Sequence, residues 1–495
     1  MTRKGSGSGD GPRARATAHE LARYEQLFAA RTRGMKSSAM REMMALTERP
    51  DVISLAGGLP DTSTFAPELF AKLMAQVAAE SAARALQYGP TEGITATTHV
   101  IAEVMAAEGT HVDPTEVIVT TGGQQVIDLV CKTLIDPGDV IVAEAPTYPG
   151  AVPTFSAYQA DVVQIEMDSD GMLIDALERE LDRLHAEGRR PKFIYTVPNF
   201  QNPGGVTMAL PRRRRLVEVA RERELLILED NPYGLLRYEG EALPTLYSLD
   251  AESVGRRGAS DLVIYLGTFS KILAPGLRLG WAVAPRPVLE KMNLGKQGAD
   301  LCSSSVTQLF VNAYFKERGA RGGPAWLEYV EDLRVHYARR RDAMVEALAE
   351  HFGDGASWTH PQGGLFVWAT LDGRIDTTDL LALAKSEGVA FVPGRAAYVD
   401  GRRGASSMRL NFAGNPEDEI REGVRRIGRA IRAQTSLLGR LTGTPGAPST
   451  SHGRPAAAAG PPVADAPEAG DQPMADVVEL PRRERPSETR RRGDG

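Results

Sequence analysis

Cysteine, excess positive charge and long apolar runs are all scarce in this chain of 495 residues. The two cysteines are Cys131 and Cys302, and Cys131 lies in the apolar run Val126–Leu134, where burial as a small hydrophobe is the ordinary interpretation. Neither cysteine is assigned a function, and no metal site is predicted. The net charge of −6 argues against nucleic-acid binding, which requires a basic face.

Segments that would direct the chain into or across a membrane are also missing from the sequence. Met1–Arg15 is mostly Gly, Ser and Arg and lacks the apolar stretch of a signal peptide. A membrane-spanning helix would need about 18 consecutive apolar residues, and no such run occurs. We therefore predict a cytoplasmic protein without membrane or nucleic-acid partners, whose 42% hydrophobic residues suffice for two folded domains.

Short β-branched runs alternate with helical patterns in the first two thirds of the chain, which predicts an α/β fold. The runs are apolar without alternation, as is typical of strands covered by helices on both faces, so we expect a mostly parallel central sheet. The predicted strands are Val117–Thr120, Val140–Ala143, Phe193–Val197, Leu225–Leu228, Leu262–Leu266 and Leu279–Ala284. Helical spacing occupies Gln124–Ile135 and Pro211–Glu224 between them.

After Ser303 the pattern changes to long helices, Gln308–Phe315 and Trp326–His351, followed by short strands near Leu365–Ala369 and Met408–Phe412. This change predicts a second, smaller α+β domain. Both chain ends are polar and poor in aromatic residues, which favours disorder. The predicted divisions are a disordered tail at 1–18, a segment joining the small domain at 19–50, a large domain at 51–315, a small domain at 316–436 and a disordered tail at 437–495.

The segment Thr268-Phe269-Ser270-Lys271 directly follows a predicted strand, and Arg278 comes seven residues after the lysine. A lysine in a cationic neighbourhood has a lowered pKa, so its free amine can attack an aldehyde. The guanidinium of Arg278 can present a planar fork to a phosphate. Taken alone, the pattern also fits a surface lysine at a strand end.

Three further features accompany this segment. Asp230 ends an apolar strand where open α/β sheets bind ligands, although a carboxylate there could instead cap a helix. Gly122-Gly123 opens a helix whose N–H groups could meet a phosphate, but such helix starts are common. Arg409 lies in an apolar strand and needs an anionic partner, which could be a substrate or a structural salt bridge.

Together, the segments Thr268–Arg278, Ile227–Gly234, Asn199–Gly205 and Thr120–Gln125 resemble the class I/II aminotransferases. The sequence Ala-Pro-Gly-Leu-Arg-Leu-Gly-Trp at 274–281 is most similar to the aminoadipate and kynurenine aminotransferase branch. The resemblance extends over about Ala30–Arg432. It implies the fold-type I architecture of enzymes that use pyridoxal 5'-phosphate (PLP). It also implies an aminotransferase that moves an amino group between an L-amino acid and a 2-oxo acid such as 2-oxoglutarate, by a ping-pong mechanism through an aldimine on Lys271.

The resemblance assigns roles to individual residues. Lys271 carries the cofactor, Asp230 pairs with its ring nitrogen, Tyr233 and Asn202 reach its ring oxygen, Tyr148 stacks on its ring, and Gly123, Gln124, Thr268, Ser270 and Arg278 bind its phosphate. Without the resemblance, Asn202 would be interpreted as a turn residue before proline and Tyr148 as a core tyrosine.

The same resemblance implies how substrates and a second subunit enter the site. Arg409 would clamp the substrate α-carboxylate, with Gly58 and Asn202 as further substrate-binding residues. Tyr88 would cross to the phosphate of a neighbouring subunit, so a homodimer with active sites at its interface is expected. Arg41 would meet the distal carboxylate of a diacid, the alternative being a solvated position on an amphipathic helix.

Two other functions remain open at this stage. A PLP-dependent lyase or decarboxylase shares the cofactor motifs and is poorly separated from an aminotransferase by sequence. A PLP-binding transcription regulator is disfavoured, because the stretch before Ser54 contains no basic winged-helix pattern.

Overall fold

The structure is a computed structural model that describes residues 23–35, 51–255 and 259–442. The chain divides into two units, Met1–Ala456 and Ala457–Gly495, and every described residue lies in the first. Most of the predicted tails at 1–18 and 437–495 and of the segment at 19–50, including Arg41, falls outside the described residues. The predicted boundary between a large and a small domain near residue 316 stays a prediction.

The described residues form strands and α-helices in the alternating order that the sequence predicts. The strands are β1 (Ile53–Ser54), β2 (Val117–Thr120), β3 (Val140–Ala145), β4 (Asp161–Asp168), β5 (Gly171–Met172), β6 (Pro191–Thr196), β7 (Leu226–Asp230), β8 (Val263–Thr268), β9 (Gly280–Val283), β10 (Ser357–Trp358), β11 (Phe366–Thr370), β12 (Val389–Ala390), β13 (Val392–Pro393) and β14 (Ser407–Asn411). The α-helices are α1 (Pro67–Glu80), α2 (Ala82–Ala85), α3 (Thr95–Ala107), α4 (Gly123–Leu134), α5 (Val152–Ala157), α6 (Ile174–Ala186), α7 (Leu210–Glu222), α8 (Leu246–Ser253), α9 (Arg286–Gln297), α10 (Ser305–Tyr314), α11 (Ala325–His351), α12 (Thr377–Ser386) and α13 (Glu417–Thr442).

An eight-stranded sheet of order β2-β9-β8-β7-β6-β3-β4-β5 lies at the centre of the fold. The run from β8 through β7, β6 and β3 to β4 is parallel, as predicted, whereas β9 is antiparallel to both of its neighbours. The segment that joins β8 to β9 contains a 3₁₀ turn but no α-helix, whereas a parallel return usually needs a crossover helix. The sheet is therefore mixed, and the fold is the expected α/β fold.

Alternate residues of the central strands pack into two separate apolar clusters, one on each face of the sheet. Ile141, Phe193 and Leu228 belong to one cluster, while Val142, Ile194 and Ile227 belong to the other. Because both faces are buried, the strands read as continuous apolar runs. Polar residues at the carboxyl ends of these strands are the exceptions that mark a site.

A second sheet, of order β10-β11-β14-β13, is antiparallel and forms from the C-terminal part of the chain. Strands β11 and β14 correspond to the strands predicted near residues 365–369 and 408–412. The short strand β1 pairs with β12, which brings the loop after Ser54 beside the C-terminal half. Among the residues that the structure describes, none of the helices combines the length and apolar character needed to span a bilayer.

Candidate active site

Lys271 lies just beyond the carboxyl end of β8, and its Nζ donates a hydrogen bond of 2.6 Å to the carbonyl oxygen of Gly58. Burial lowers the pKa of the Lys271 amine to about 8, and the nearby positive charges of Arg409 and Arg278 lower it further in the same direction. A lysine with this pKa is partly neutral near physiological pH. It can therefore act as a nucleophile or a base, which an exposed lysine does poorly.

Hydroxyl groups shape the turn that precedes Lys271. Thr268 Oγ1 donates to Ser270 Oγ at 2.8 Å and accepts the Ser270 N–H at 3.1 Å. Both side chains are more than nine-tenths buried at the end of β8. The two hydroxyls are thus held together beside the lysine, where they can donate to a bound anion.

Arg278 and the start of α4 form a positively polarised cradle. Gly122 has φ +80°, and a Cβ atom at this position would lie 2.4 Å from Arg278 Nη2, so only glycine fits. Arg278 itself adopts the left-handed conformation at φ 49°, which costs a residue with a side chain roughly 1–2 kcal/mol. Its guanidinium lies beside Gly122 and donates to Thr121 O at 3.5 Å, next to the start of α4, where the first N–H groups have no acceptor within the helix.

The side chain of Gln124 points away from this cradle. Its Nε2 donates to Gly150 O at 3.1 Å and to Thr154 Oγ1 at 2.7 Å, both near α5. A contact of Gln124 with an anion would therefore come from its backbone N–H, beside that of Gly123.

Asp230 is the last residue of β7, and its buried Oδ2 accepts a hydrogen bond of 2.7 Å from the hydroxyl of Tyr195. Burial raises the pKa of the Asp230 carboxyl to about 6, while the Tyr195 hydrogen bond opposes the shift. The helix-cap alternative is not realised, because the next α-helix, α8, begins at Leu246 and is capped by Thr245. Asp230 is a buried carboxylate oriented by a neighbouring strand.

Asn202 connects two other predicted residues. Its Nδ2 donates to the hydroxyl of Tyr233 at 3.5 Å, and its Oδ1 accepts from Arg409 Nη1 at 3.0 Å. Arg409 is fully buried on β14, donates to Ala56 O at 2.7 Å and places its guanidinium carbon 4.3 Å from the centre of the Phe366 ring. Burial lowers the pKa of Arg409 to about 10. The guanidinium of Arg409 is thus held by the Asn202 amide, the Ala56 carbonyl and the Phe366 ring.

Tyr148 and Tyr88 occupy different environments. Burial raises the pKa of the Tyr148 hydroxyl, and the charge of Asp230 adds to this effect. Gly150 leaves room for the Tyr148 ring, since a Cβ atom there would lie 2.4 Å from it. Tyr88 is 79% exposed.

The loop that contains Gly58 is tied to α11 through Asp61. Asp61 Oδ2 lies 2.8 Å from His336 Nε2 and 2.7 Å from Arg340 Nη2, and its backbone N–H donates to the hydroxyl of Tyr337 at 3.1 Å. Hydrogen bonds from Ser63 complete the set. The carbonyl that receives Lys271 Nζ is therefore held from the C-terminal half of the chain.

Three polar residues of this region, Tyr195, Glu144 and Gln201, were missed by the sequence analysis. Tyr195 is the hydroxyl partner of Asp230, and Glu144 and Gln201 bind each other beneath the Asn202 loop. Each is a polar group in or next to an apolar strand, and that contrast is the signal that could have identified them.

The chain is similar to known aminotransferases over most of its length. The family model for aminotransferase class I and II matches residues 50–427. The chain is 44% identical to an aromatic-amino-acid aminotransferase of Thermococcus litoralis, over 83% of this chain and 95% of the relative. It is 39% identical to a 2-aminoadipate transaminase of Thermus thermophilus, over 82% of this chain and 96% of the relative.

Solved structures that are similar to this chain are also aminotransferases. A kynurenine aminotransferase of Pyrococcus horikoshii, in complex with PMP, superposes with a TM-score of 0.76 at 40% identity and covers 84% of this chain and 99% of its own. An α-aminoadipate aminotransferase of Thermus thermophilus, complexed with N-(5'-phosphopyridoxyl)-L-leucine, has a TM-score of 0.76 at 36% identity with the same coverage of the two chains, 84% and 99%.

Proposed function

Because this chain belongs to the aminotransferase class I and II family and is a PLP-dependent aminotransferase, we propose that Lys271 holds the cofactor and that Arg409 binds the substrate α-carboxylate. The observation that carries the proposal is the position of Lys271, just beyond the carboxyl end of β8 with its Nζ 2.6 Å from the carbonyl oxygen of Gly58. Burial there, together with the charges of Arg409 and Arg278, which would bind the anions of substrate and cofactor, lowers its pKa to about 8. The remaining residues of the site fit this division between a phosphate end and a carboxylate end.

The phosphate end is the cradle formed by Arg278 and the start of α4. Gly122 leaves the space that Arg278 fills, and Thr268 and Ser270 add hydroxyl donors. A dianion here would meet a guanidinium, a helix N-terminus and hydroxyl groups, which is the donor set that phosphate requires. The residues present therefore fit the phosphate of PLP.

When bound, PLP supplies an aldehyde that condenses with amines and a pyridine ring that accepts electrons. Lys271 Nζ would hold the cofactor covalently and, once released by an incoming amine, would move the substrate α-proton as a general base. Asp230, buried at the end of β7, would keep a proton on the ring nitrogen. Asn202 and Tyr233 would donate to the ring oxygen from the side that faces Arg409.

The carboxylate end is centred on Arg409. Its guanidinium would bind the α-carboxylate of an amino acid and then that of a 2-oxo acid, one after the other, so we propose ping-pong kinetics. By similarity to the relatives named above, we propose aromatic or aminoadipate-like L-amino acids as donors, with branched or aliphatic amino acids as further candidates, and 2-oxoglutarate as the acceptor. We also propose a homodimer whose subunits exchange Tyr88.

The test is to incubate the PLP-loaded enzyme with phenylalanine or 2-aminoadipate and 2-oxoglutarate, and to measure glutamate. We expect glutamate in equal amount to the amino acid consumed, and none with Lys271→Ala. Ammonia or carbon dioxide released without 2-oxoglutarate would instead indicate the lyase or decarboxylase chemistry, for which the relatives give no specific support.

A further inference from the structure

Glu144 is a buried carboxylate near the active site to which the proposed mechanism gives no role. It follows the apolar residues of β3 and is 1% exposed. Burial raises the pKa of the Glu144 carboxyl to about 7, against the hydrogen bonds that it accepts. A carboxylate kept at such a position must have enough donors around it to offset its desolvation.

The donors to Glu144 come from the segment that leads into the Asn202 loop. The hydroxyl of Thr196 donates to Oε1, the backbone N–H of Val197 donates to Oε2 at 3.2 Å, and Gln201 Nε2 donates to Oε2 at 2.9 Å. Thr196 ends β6, so Glu144 joins the carboxyl ends of two neighbouring strands.

Gln201 extends this contact around the loop. Besides Glu144, its Nε2 donates to Pro146 O at 2.8 Å, and its Oε1 accepts the N–H of Gly204 at 2.6 Å. Asn202 lies between Gln201 and Gly204 in the chain. The position of Asn202 therefore depends on the hydrogen-bonded pair of Glu144 and Gln201.

We propose that Glu144 is a positioning residue for substrate binding, which acts through Gln201 to place Asn202 between Tyr233 and Arg409. The proposal rests on the proposed function, in which Arg409 receives the substrate α-carboxylate. A carboxylate suits the role because both of its oxygens accept, whereas glutamine would turn an NH₂ group towards the Thr196, Val197 or Gln201 donors.

The main variants are Glu144→Gln and Gln201→Ala, the second of which leaves the buried carboxylate in place. Asp250→Asn is the matched control. Asp250 is also fully buried and accepts Ser260 Oγ at 2.6 Å, Asp261 N at 2.9 Å and Leu262 N at 3.1 Å, and unlike Glu144 it also pairs with an arginine, Arg221. The donors at 260–262 precede β8, at the end of the strand opposite to Lys271.

Three quantities are measured on the PLP-loaded protein: KM and kcat for the amino acid, the calorimetric Kd for 3-phenylpropionate, which has a carboxylate but no amino group, and the Tm. We expect Glu144→Gln and Gln201→Ala to raise KM and Kd by about tenfold and to change kcat by less than about threefold. Asp250→Asn is expected to lower the Tm by about as much as Glu144→Gln does, and to leave KM and Kd unchanged.

A double variant tests whether Glu144 acts through Asn202. Asn202→Ala is expected to raise KM, and adding Glu144→Gln should raise it no further, because the two changes remove the same contact. Multiplied effects in the double variant, or an unchanged KM in Glu144→Gln together with a lowered Tm, would overturn the proposal. Arg409→Lys is measured in parallel: an unchanged KM in that variant would refute the carboxylate clamp itself, independently of Glu144.

Discussion

Lys271 titrates in a range where an exposed lysine would remain charged. Burial is the larger cause of its lowered pKa, and the charges of Arg409 and Arg278 contribute as well. Only the neutral amine can bond to an aldehyde. The protonation of a single nitrogen should therefore control how the protein takes up its cofactor.

We expect the rate at which PLP attaches covalently to the apoenzyme to rise with pH and to level off above a pKa of about 8. Below that value the neutral fraction falls about tenfold for each pH unit. The measurement is the absorbance change after mixing apoenzyme with PLP, followed by borohydride reduction and peptide mapping. Label on Lys296, a buried lysine that pairs with Asp300, in place of Lys271 would contradict the assignment.

Asp230→Asn should separate cofactor binding from turnover. The variant keeps Arg278, Lys271 and the start of α4, so PLP should still bind, but a neutral amide cannot hold a proton on the ring nitrogen. We expect the single-turnover rate to fall by about a hundredfold or more. An unchanged single-turnover rate would remove Asp230 from the mechanism. Tyr195→Phe, which removes the hydroxyl partner of Asp230, should produce a smaller loss.

At the scale of elements, the loop of Gly58 and helix α11 are coupled by Asp61. Burial would raise the pKa of Asp61, but hydrogen bonds from Ser63 and His336 and the charge of Arg340 outweigh it and hold the pKa below its ordinary value. A carboxylate with a depressed pKa stabilises the folded state above its unfolded pKa of about 3.9, and this stability is lost as the pH falls through the folded pKa.

Asp61→Asn should lower the free energy of unfolding by about 1–3 kcal/mol at neutral pH, because buried donors lose their carboxylate. The difference from the parent protein should shrink below about pH 4, where the parent carboxyl is protonated as well. Urea unfolding at several pH values measures it. The control is Asp372→Asn, in an exposed pair with Arg374, which should change stability little. A pH-independent difference would show that the charge of Asp61 is unimportant.

The elements that the sequence predicted well are those buried on both faces. Strand β2 has its predicted bounds, and β8 and helix α4 begin within one residue of theirs. The direction of β9 could not be predicted, since its antiparallel pairing depends on a connection without an α-helix and not on composition. The two-residue strands β1, β10, β12 and β13 have no periodicity to detect.

For individual residues too, the sequence does not reveal features that depend on contacts formed only in the folded chain. Lys271, Asp230 and Arg409 were candidates because each places a charge beside an apolar run, and the family resemblance then assigned their roles. Glu144 was missed because its meaning depends on Gln201, which only folding brings next to it. The sequence shows that Glu144 is a polar residue near a strand end, but it does not show which residue Glu144 contacts.

At the scale of the whole molecule, several exposed apolar side chains fit the proposed homodimer, in which a second subunit would cover them. Leu86 and Tyr88 precede α3, and Leu294 and Leu301 lie in or after α9; all four are exposed. We expect sedimentation to give twice the mass of one chain. If Tyr88 reaches the partner's phosphate site, as proposed, Tyr88→Phe should weaken PLP binding without dissociating the dimer, because it removes one hydroxyl donor. A monomeric parent protein with full activity would contradict this arrangement.

The predicted role of Arg41 in substrate choice stays a prediction, since this residue lies outside the described part of the chain. If Arg41 meets the distal carboxylate of a diacid, Arg41→Ala should cost glutamate and 2-aminoadipate about 1.5–3 kcal/mol in kcat/KM and largely spare a neutral amino acid. Steady-state kinetics on both substrate classes provide the comparison. Equal losses on both would assign Arg41 a structural role.

The cradle of Gly122 and Arg278 has a consequence for biosynthesis. Thr121 and Arg278 are 157 positions apart in the chain, and they meet only after β9 has inserted beside β2. If this cradle binds the phosphate of PLP, as proposed, a growing polypeptide that ends before β9 would lack the complete anion site, and the cofactor would bind only chains whose central sheet is complete. Ligand that binds only the native state stabilises it in proportion to the logarithm of the free ligand concentration. On the proposed assignment of this site, a larger cellular supply of PLP should therefore increase the amount of newly made polypeptide that survives quality control, as well as the amount that is active.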